Sequence, residues 1–206
     1  MLAPIVARWT DWSGAGLEHL VLELGDDAIA ADGVVLSGGE QLFAARYRVI
    51  CDAGWRVRRA EVELIGDERR LQLSSDAQGS WRDGVGKPLP QLDGAIDVDL
   101  SISPFTNTLP IRRLDLESGQ SADIVVAYIQ IPEMTVTSDP QRYTCLERLG
   151  GRAPLQGASY SPSEAMVRAR YRYESLDSDF VREIETDQDG LVLTYPGLFR
   201  RVRPPG

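Results

Sequence analysis

The sequence predicts a predominantly all-β, antiparallel fold with at most one or two short helices. Glycine (19) and proline (12) recur at short intervals along the 206 residues. The segments between them alternate apolar and polar residues with period two, which is typical of half-buried strands. Helix start signals are sparse. A chain of this length can bury a core of its own, so we expect a single domain over residues 1–206.

Ten strands are predicted from the alternation. They cover residues 17–24, 29–36, 43–51, 55–65, 69–73, 96–103, 124–131, 166–173, 180–186 and 191–195. One helix start is predicted at Ser161, because Ser-Pro-Ser-Glu has the form of a capping box with proline at the first helical position. The next alternating run begins at Met166, so this helix has room for little more than one turn.

Two parts of the chain resemble each other in outline. Arg-Tyr-Arg at 46–48 recurs at 170–172, and Leu-x-Leu at 71–73 recurs at 191–193. A nearly constant offset with small drift is what a duplication with altered loops produces. The chain is then two similar β halves, about 1–90 and 125–206, joined by the segment 91–124. Chance similarity among alternating strands is the other interpretation.

Charge and hydropathy exclude several classes of partner. The formal charge is −9, whereas a general nucleic-acid binder needs a basic stripe to neutralise phosphates. No apolar run approaches the ~20 residues that span a bilayer, so no integral membrane segment is expected. The first residues, MLAPIVARW, lack the basic leader of a secretory signal. We therefore expect a cytoplasmic protein, and the sequence leaves its oligomeric state open.

The common catalytic and cofactor motifs are missing. Cys51 and Cys145 have no metal-ligand spacing, and His19 is the only histidine and lies in an alternating strand. The sequence has no phosphate loop, dinucleotide fingerprint or nucleophile elbow. We therefore predict no metal, no cofactor and no established catalytic residue.

An acidic row lies in the sixth predicted strand, where Asp97 and Asp99 share one face. Two like charges on one face require water or nearby cations, and Arg112 and Arg113 follow along the chain. Together with Asp93, the row has three interpretations. It is the polar wall of a groove that accepts sugar hydroxyls, the catalytic acids of a hydrolase acting on a sugar or lipid conjugate, or an internal Asp–Arg network of a structural or partner-binding module.

Arginines also form rows on predicted strands. Arg170 and Arg172 share one face, and Tyr171 points to the other. Such rows require an anionic neighbour, which is either the acidic row or a ligand. Trp55 is one of several aromatic residues that suit either the core or contact with a sugar.

The segment 103–110 is predicted to be a stiff loop. Two prolines bracket a Thr-Asn-Thr centre, and proline fixes φ and ends the strand ladder. Small hydrogen-bonding side chains such as Asn107 suit a preorganised recognition loop, although Asn and Thr in turns usually satisfy their own backbone.

Several long segments carry a family resemblance. They are RYRVICDAGWRVR at 46–58, DVDLSISPFTNTLPIRR at 97–113, RYRYES at 170–175 and GLVLTYPGLFRRV at 190–202. The chain closely resembles the putative glycolipid-binding family of bacterial proteins over nearly its whole length. One departure is Ala95, where a cysteine is expected.

The resemblance implies a β-rich open barrel or curled sheet with a cavity or concave face. It also implies a non-catalytic protein that binds a glycolipid or another amphipathic or glycosylated small molecule. We expect a hydroxyl-rich head to contact the acidic row and the arginines, with tails against an apolar wall. The candidate ligand-binding residues are Asp97, Asp99, Asn107, Arg112, Arg113, Trp55, Arg170, Arg172 and Tyr171.

Overall fold

The computed structural model describes residues 3–39, 41–149 and 166–202. These residues form fourteen strands and one short α-helix. The strands are β1 (Ile5–Asp11), β2 (Leu17–Leu24), β3 (Ala28–Leu36), β4 (Ala44–Asp52), β5 (Val57–Leu64), β6 (Arg70–Ser75), β7 (Trp81–Asp83), β8 (Asp97–Leu100), β9 (Ser121–Gln130), β10 (Thr135–Arg148), β11 (Ala169–Ser175), β12 (Val181–Thr186), β13 (Val192–Tyr195) and β14 (Phe199–Arg201). The helix is α1 (Thr108–Leu114).

All the described strands belong to one sheet. Its order is β7-β6-β5-β4-β3-β2-β1-β14-β13-β12-β11-β10-β9-β8. Neighbouring strands are antiparallel except β8 and β9, which form a parallel pair at one end. The all-β prediction is confirmed. The predicted antiparallel arrangement holds for every described strand pair except β8 with β9.

The sheet curls so that its two ends approach each other without closing. The segment just before β8 lies against β5 and β7 at the other end. The backbone N–H of Val57 donates to the carbonyl of Ile96 at 3.2 Å. The indole N–H of Trp81 donates to the carbonyl of Ala95 at 2.7 Å. This architecture confirms the predicted open, curled β fold.

The strands follow the same order in the two halves of the sheet. Reading along the sheet, the numbers descend from β7 to β1 and again from β14 to β8. The two Arg-Tyr-Arg segments lie in β4 and β11, which are related by a shift of seven strands. This arrangement is what a duplicated β unit would produce, and the division into related halves stays a prediction.

The core is formed around the segment that joins the halves. One cluster of buried residues combines the inner faces of β1–β6 with Leu92, Val98, Phe105 and Leu109 of the joining segment. Within it, the ring of Tyr47 stacks on Phe105, with centroids 6.5 Å apart. A second cluster belongs to β10–β13 and is rich in tyrosine. The joining segment is therefore packed inside the curled sheet.

The predicted strand 96–103 and the predicted loop 103–110 are partly wrong. β8 ends at Leu100, and a 3₁₀ helix at Pro104–Asn107 leads directly into α1. The Ser103 hydroxyl accepts from the N–H of Phe105 at 3.2 Å and Pro104 is the first helical residue. Ser-Pro is a helix start signal, and it was readable in the sequence. The helix predicted at Ser161 lies outside the described residues.

Four strands escaped sequence prediction: β1, β7, β10 and β14. The longest, β10, has the sequence TVTSDPQRYTCLER. Its polar residues and the Asp139-Pro140 pair resemble a turn, although residues on both sides pair continuously with β9. Three-residue strands such as β7 are too short to show a period.

One glycine allows a tyrosine to cross a neighbouring strand. Tyr47 in β4 pairs with Gly33 in β3, and its hydroxyl reaches Glu18 in β2, where it donates to Oε1 at 2.5 Å. A Cβ at residue 33 would overlap the Tyr47 ring. Gly33 is therefore required because it has no side chain. Its backbone conformation does not require glycine, since its φ is not in the left-handed region.

We expect Gly33→Ala to lower the free energy of unfolding by about 2–3 kcal/mol, because the added methyl overpacks the core and displaces the Tyr47 hydroxyl from Glu18. Urea denaturation followed by tryptophan fluorescence measures the change. Gly39→Ala is the matched control, since a Cβ there meets open space. Equal stability of the two variants would contradict the role of Gly33.

Candidate binding site

A cavity of about 420 Å³ opens between β8, the turn that follows it and the second half of the sheet. This volume lies in the range of small-molecule sites. Carboxylates line one part and aromatic rings another, so we name it the acidic-aromatic cavity. Its lining residues are Asp99, Leu100, Ser101, Ser103, Asn107, Tyr128, Asp139, Tyr173, Ser175, Ser178, Phe180, Tyr195, Leu198 and Phe199.

The acidic wall consists of two aspartates that share one amide group. Asp99 Oδ1 accepts from the Thr106 hydroxyl at 2.9 Å, and Oδ2 accepts from Gln141 Nε2 at 2.9 Å. The same Gln141 nitrogen donates to Asp139 Oδ2 at 2.8 Å. Gln141 is buried, so its amide holds both carboxylates at fixed positions.

Burial changes the acidity of this wall. Removal from water raises the pKa of Asp99, and the charge of Asp139 raises it further, against the opposing hydrogen bonds from Gln141 and Thr106. Burial also raises the pKa of Asp139. No lysine, arginine or histidine is among the described residues that line the cavity. The wall therefore suits hydrogen-bond donors and disfavours anions.

The aromatic wall is a continuous chain of packed rings. Tyr173 meets Phe180 edge-on with centroids 5.9 Å apart, and it meets Tyr195 at 6.1 Å. Tyr195 in turn meets Phe199 at 6.4 Å. Rings packed against one another in this way form a rigid apolar surface.

Asn107 joins the cavity wall to the core of the second half. Its Oδ1 accepts from the Tyr143 hydroxyl at 2.9 Å, and its Nδ2 donates to the carbonyl of Pro104 at 3.3 Å. The helical conformation of Pro104–Asn107 places this side chain next to Ser103 at the cavity. Asp99 and Asn107 are the two predicted ligand-binding residues that line the cavity.

Asp97 is closed off by Arg113. The Arg113 guanidinium donates from Nε to Oδ1 at 3.1 Å and from Nη2 to Oδ2 at 2.5 Å. The Asp97 side chain has no exposure, and burial raises its pKa against the attraction of Arg113. Asp97 is therefore held in an internal Asp–Arg pair, which is one of the three interpretations of the acidic row. Asp99, on the same strand, is held by Gln141 of β10 and lines the cavity.

Arg112 and Trp55 form a separate contact. The Arg112 guanidinium lies 5.5 Å from the centre of the Trp55 ring, and both residues are buried. Trp55 has a positive φ in the turn before β5, so the strand predicted to begin there begins at Val57. Neither residue lines the acidic-aromatic cavity.

The arginine rows lie on the outer face and meet acids of neighbouring strands. Arg170 pairs with Glu147 at 2.8 Å, and Arg172 lies opposite Glu183 of β12. Tyr171 points inward to the tyrosine-rich core. The predicted alternative in which the acidic row neutralises these arginines is wrong, because the curled sheet puts the two rows on opposite faces.

The three carboxylates of the hydrolase interpretation do not converge. Asp93 is exposed after the 3₁₀ turn Pro90–Leu92, Asp97 is paired with Arg113, and Asp99 alone lines the cavity. Asp139 was missed because β10 was not predicted as a strand.

Glu18 is the other residue that sequence reasoning missed. It is buried on the inner face of β2, and its Oε1 accepts from Tyr47 at 2.5 Å and from Ser103 at 2.6 Å. Within the part of the chain that the structure describes, Oε2 has no hydrogen-bond partner. The sequence does indicate that Glu18 is buried, since period two places it on the same strand face as Leu20 and Leu22.

Burial raises the pKa of Glu18 to about 7, although hydrogen bonds from Ser103 and Tyr47 and the charge of Arg201 oppose the shift. This carboxyl therefore changes charge near neutral pH. Its only described hydrogen-bond donors are two hydroxyls, which remain donors whether Glu18 is charged or neutral.

The described residues include neither a metal-ligand cluster nor a membrane-spanning helix. Residues 3–39, 41–149 and 166–202 contain no group of three or more histidine, cysteine, aspartate or glutamate side chains arranged to hold a metal ion. None of the helices described in these ranges is long and apolar enough to cross a membrane.

Comparisons with known proteins give a consistent result. A family model described as "Putative glycolipid-binding" matches residues 6–201. The crystal structure of a DUF1089 family protein from Pseudomonas aeruginosa is 37% identical, with a TM-score of 0.71 over 91% of this chain and 92% of that one. A β-barrel-like protein of the DUF1849 domain of unknown function from Brucella abortus is 10% identical, with a TM-score of 0.52 over 98% and 97% of the two chains, and shares the fold alone. No curated protein matches.

We expect Arg113→Ala to cost about 3–5 kcal/mol of stability, because it leaves Asp97 buried without its partner. Arg142→Ala is the matched control. Its pair with Asp123 is exposed, and losing it should cost no more than about 1 kcal/mol. Chemical denaturation of both variants measures the difference. A cost for Arg113→Ala as small as that of the control would show that Asp97 is not held in this way.

Glu18→Gln should change how stability depends on pH. A carboxyl with a raised folded pKa binds more protons in the folded state between pH 4.5 and about 7, so its contribution to stability falls as pH rises through that window and is constant above it. Gln does not titrate. The free energy of unfolding of the variant, relative to wild type, should therefore increase by about 3 kcal/mol across the window. Denaturation series between pH 4.5 and 8 test this, and a difference between variant and wild type that stays constant with pH would contradict the raised pKa of Glu18.

Proposed function

The chain belongs to the putative glycolipid-binding family, and from this premise we propose that it binds, without altering it, an amphipathic molecule with a neutral, hydroxyl-rich head. The head would occupy the acidic-aromatic cavity. The observation that carries the proposal is the composition of this cavity, in which a fixed pair of carboxylates faces a chain of packed aromatic rings.

The two walls suit the two sides of a sugar. Hydroxyl groups donate strongly to carboxylates, and Asp99 and Asp139 are already held in position by Gln141. The C–H face of a sugar ring packs on aromatic side chains, which the wall from Tyr173 to Phe199 supplies. Asn107 adds an amide next to Ser103. None of the other predicted ligand-binding residues lines the cavity.

Charge narrows the choice of head group. Phosphate, sulfate and carboxylate heads would meet two aspartates with no cation among the described lining residues. An anion in such a site loses hydration without gaining an ion pair. A neutral glycoside is therefore favoured over an acidic lipid.

Cys51 and Cys145 are both free and buried, in agreement with the cytoplasmic location that we continue to propose.

A hydrolase is the second candidate, and one observation favours it. Asp99 and Asp139 contact the same amide nitrogen, and both have a raised pKa. Glycosidases also use a pair of carboxyl groups, and the one that acts as general acid has a raised pKa. The interpretation based on Asp93 and Asp97 is set aside, since neither lines the cavity. Mass spectrometry separates the two functions, because a hydrolase releases free sugar and alcohol from an alkyl glycoside, whereas a binding protein returns the glycoside intact.

The proposal predicts that octyl β-glucoside, kept below its micelle concentration, binds the purified protein in isothermal titration calorimetry. Asp139→Ala should weaken this binding about tenfold, because a charge-assisted hydrogen bond to a hydroxyl is lost while Gln141 still holds Asp99. Asp123→Ala removes an exposed aspartate and should leave binding unchanged. Octyl sulfate, with the same chain and an anionic head, should bind far more weakly. Equal binding of both amphiphiles, or of neither, argues against the proposal.

A further inference from the structure

A second, smaller cavity lies beside the acidic-aromatic cavity. Its volume is about 170 Å³, and we name it the Glu18 cleft. It opens between β1, β2 and β3, and Glu18 is one of the residues that line it. The rest of the lining is mostly apolar and includes Trp9, Leu17, Val35, Leu36, Phe43 and Ile102.

The two cavities adjoin. Ser101 and Phe199 line both of them. Leu17 and Leu36 are 40% and 52% exposed, so the cleft has an apolar, accessible mouth. The two cavities therefore share part of one wall, and a molecule in one lies next to the other.

Glu18 lines this apolar cleft and has one carboxylate oxygen without a hydrogen-bond partner among the described residues. The hydroxyls of Tyr47 and Ser103 both donate to Oε1 of its carboxylate. Oε2 is buried and lacks a partner among the residues described. A buried carboxylate oxygen without a hydrogen bond costs free energy, and a donor group that enters the cleft recovers it.

The other charged groups decide which donor fits. Asp11 also lines the cleft, but its carboxylate already accepts from Ser13 and from the backbone of Gly14, Ala15 and Gly16. The Arg201 guanidinium lies 4.4 Å from the centre of the Trp9 ring and acts electrostatically on Glu18. Arg201 is itself paired with Asp187 at 3.3 Å, so its charge is largely compensated. An ammonium group carries three donors and a charge, whereas Glu18 has one oxygen without a described partner, so a neutral hydroxyl is favoured over an ammonium group.

We propose that the Glu18 cleft is a second binding subsite that takes an aliphatic chain bearing a hydroxyl, which donates to Glu18 Oε2. The subsite deepens the proposed function, and its assignment to the chain of the same ligand rests on that function. The hydrogen bond itself does not, because small alcohols test it alone.

The experiment is run above pH 8, where Glu18, with a pKa of about 7, is a carboxylate and only accepts hydrogen bonds. It compares 1-hexanol with its isomer methyl pentyl ether, which has the same size and no hydrogen-bond donor. Amide chemical shifts of Glu18, Val35 and Ile102 in ¹H–¹⁵N spectra report binding to the folded protein. We expect the alcohol to bind about tenfold more tightly than the ether. Equal affinities, or no shift at these residues, would overturn the proposal.

Two variants sharpen the comparison. Glu18→Gln places an amide where Oε2 was, and an amide N–H donates to alcohol and ether oxygens alike, so the preference for the alcohol should disappear. Glu23→Gln on the exposed face of β2 should retain it. Leu36→Trp should block the mouth and weaken both ligands, and because Leu36 is half exposed the variant should fold. Retention of the preference in Glu18→Gln would also overturn the proposal.

Octyl β-glucoside, titrated in parallel, separates this inference from the proposed function. If the glucoside shifts Tyr128 and Tyr173 but hexanol leaves the cleft unchanged, only the subsite fails. If hexanol binds with the expected preference and the glucoside does not bind, the subsite is supported and the glycoside-binding function fails.

Discussion

The buried ion pair between Asp97 and Arg113 fixes the segment on which the rest of the structure depends. Arg113 is at the end of α1, and its two-point contact with Asp97 holds the helix back against β8. The chain between them must therefore turn within a few residues. This turn sets Ser103 and Asn107 at the acidic-aromatic cavity. Because a broken buried pair leaves an uncompensated charge, other packings of the segment are strongly disfavoured.

The same segment anchors both halves of the sheet through polar contacts. Ser103 meets Glu18 of β2, Thr106 meets Asp99 of β8, and Asn107 meets Tyr143 of β10. Apolar packing tolerates small shifts, whereas hydrogen bonds between buried groups have narrow geometry. The curled sheet thus encloses a group of buried hydrogen bonds as well as an apolar core. The acidic-aromatic cavity lies between these hydrogen bonds and the aromatic wall of the second half.

The sequence predicted the fold class and most strands because period two is a local signal. It also proposed Asp97, Asp99 and Asn107 as ligand contacts, and of these Asp99 and Asn107 line the cavity. The burial of Asp97 against Arg113 could not be predicted, because the partner comes from another element. Nothing in one strand shows that α1 returns to cover it. Asp139 was lost with β10, whose Asp-Pro pair resembles a turn. Glu18 was readable from its position on the leucine face of β2, since an acid there must be either paired or functional.

The distribution of raised and lowered pKa values favours the proposed binding role over a purely structural one. At exposed positions in turns and on β9, arginine or backbone hydrogen bonds lower the pKa of Asp67, Asp76 and Asp123. At the two cavities, burial raises the pKa of Asp99 and Glu18, so keeping these groups costs stability near neutral pH. A module whose acids served only to crosslink its strands would gain stability from apolar residues at these places. These acids lie on cavity walls at a cost in stability, and their hydrogen-bond donors are hydroxyl and amide groups rather than guanidinium groups. This arrangement favours the proposed ligand, which would bring hydroxyl groups to them.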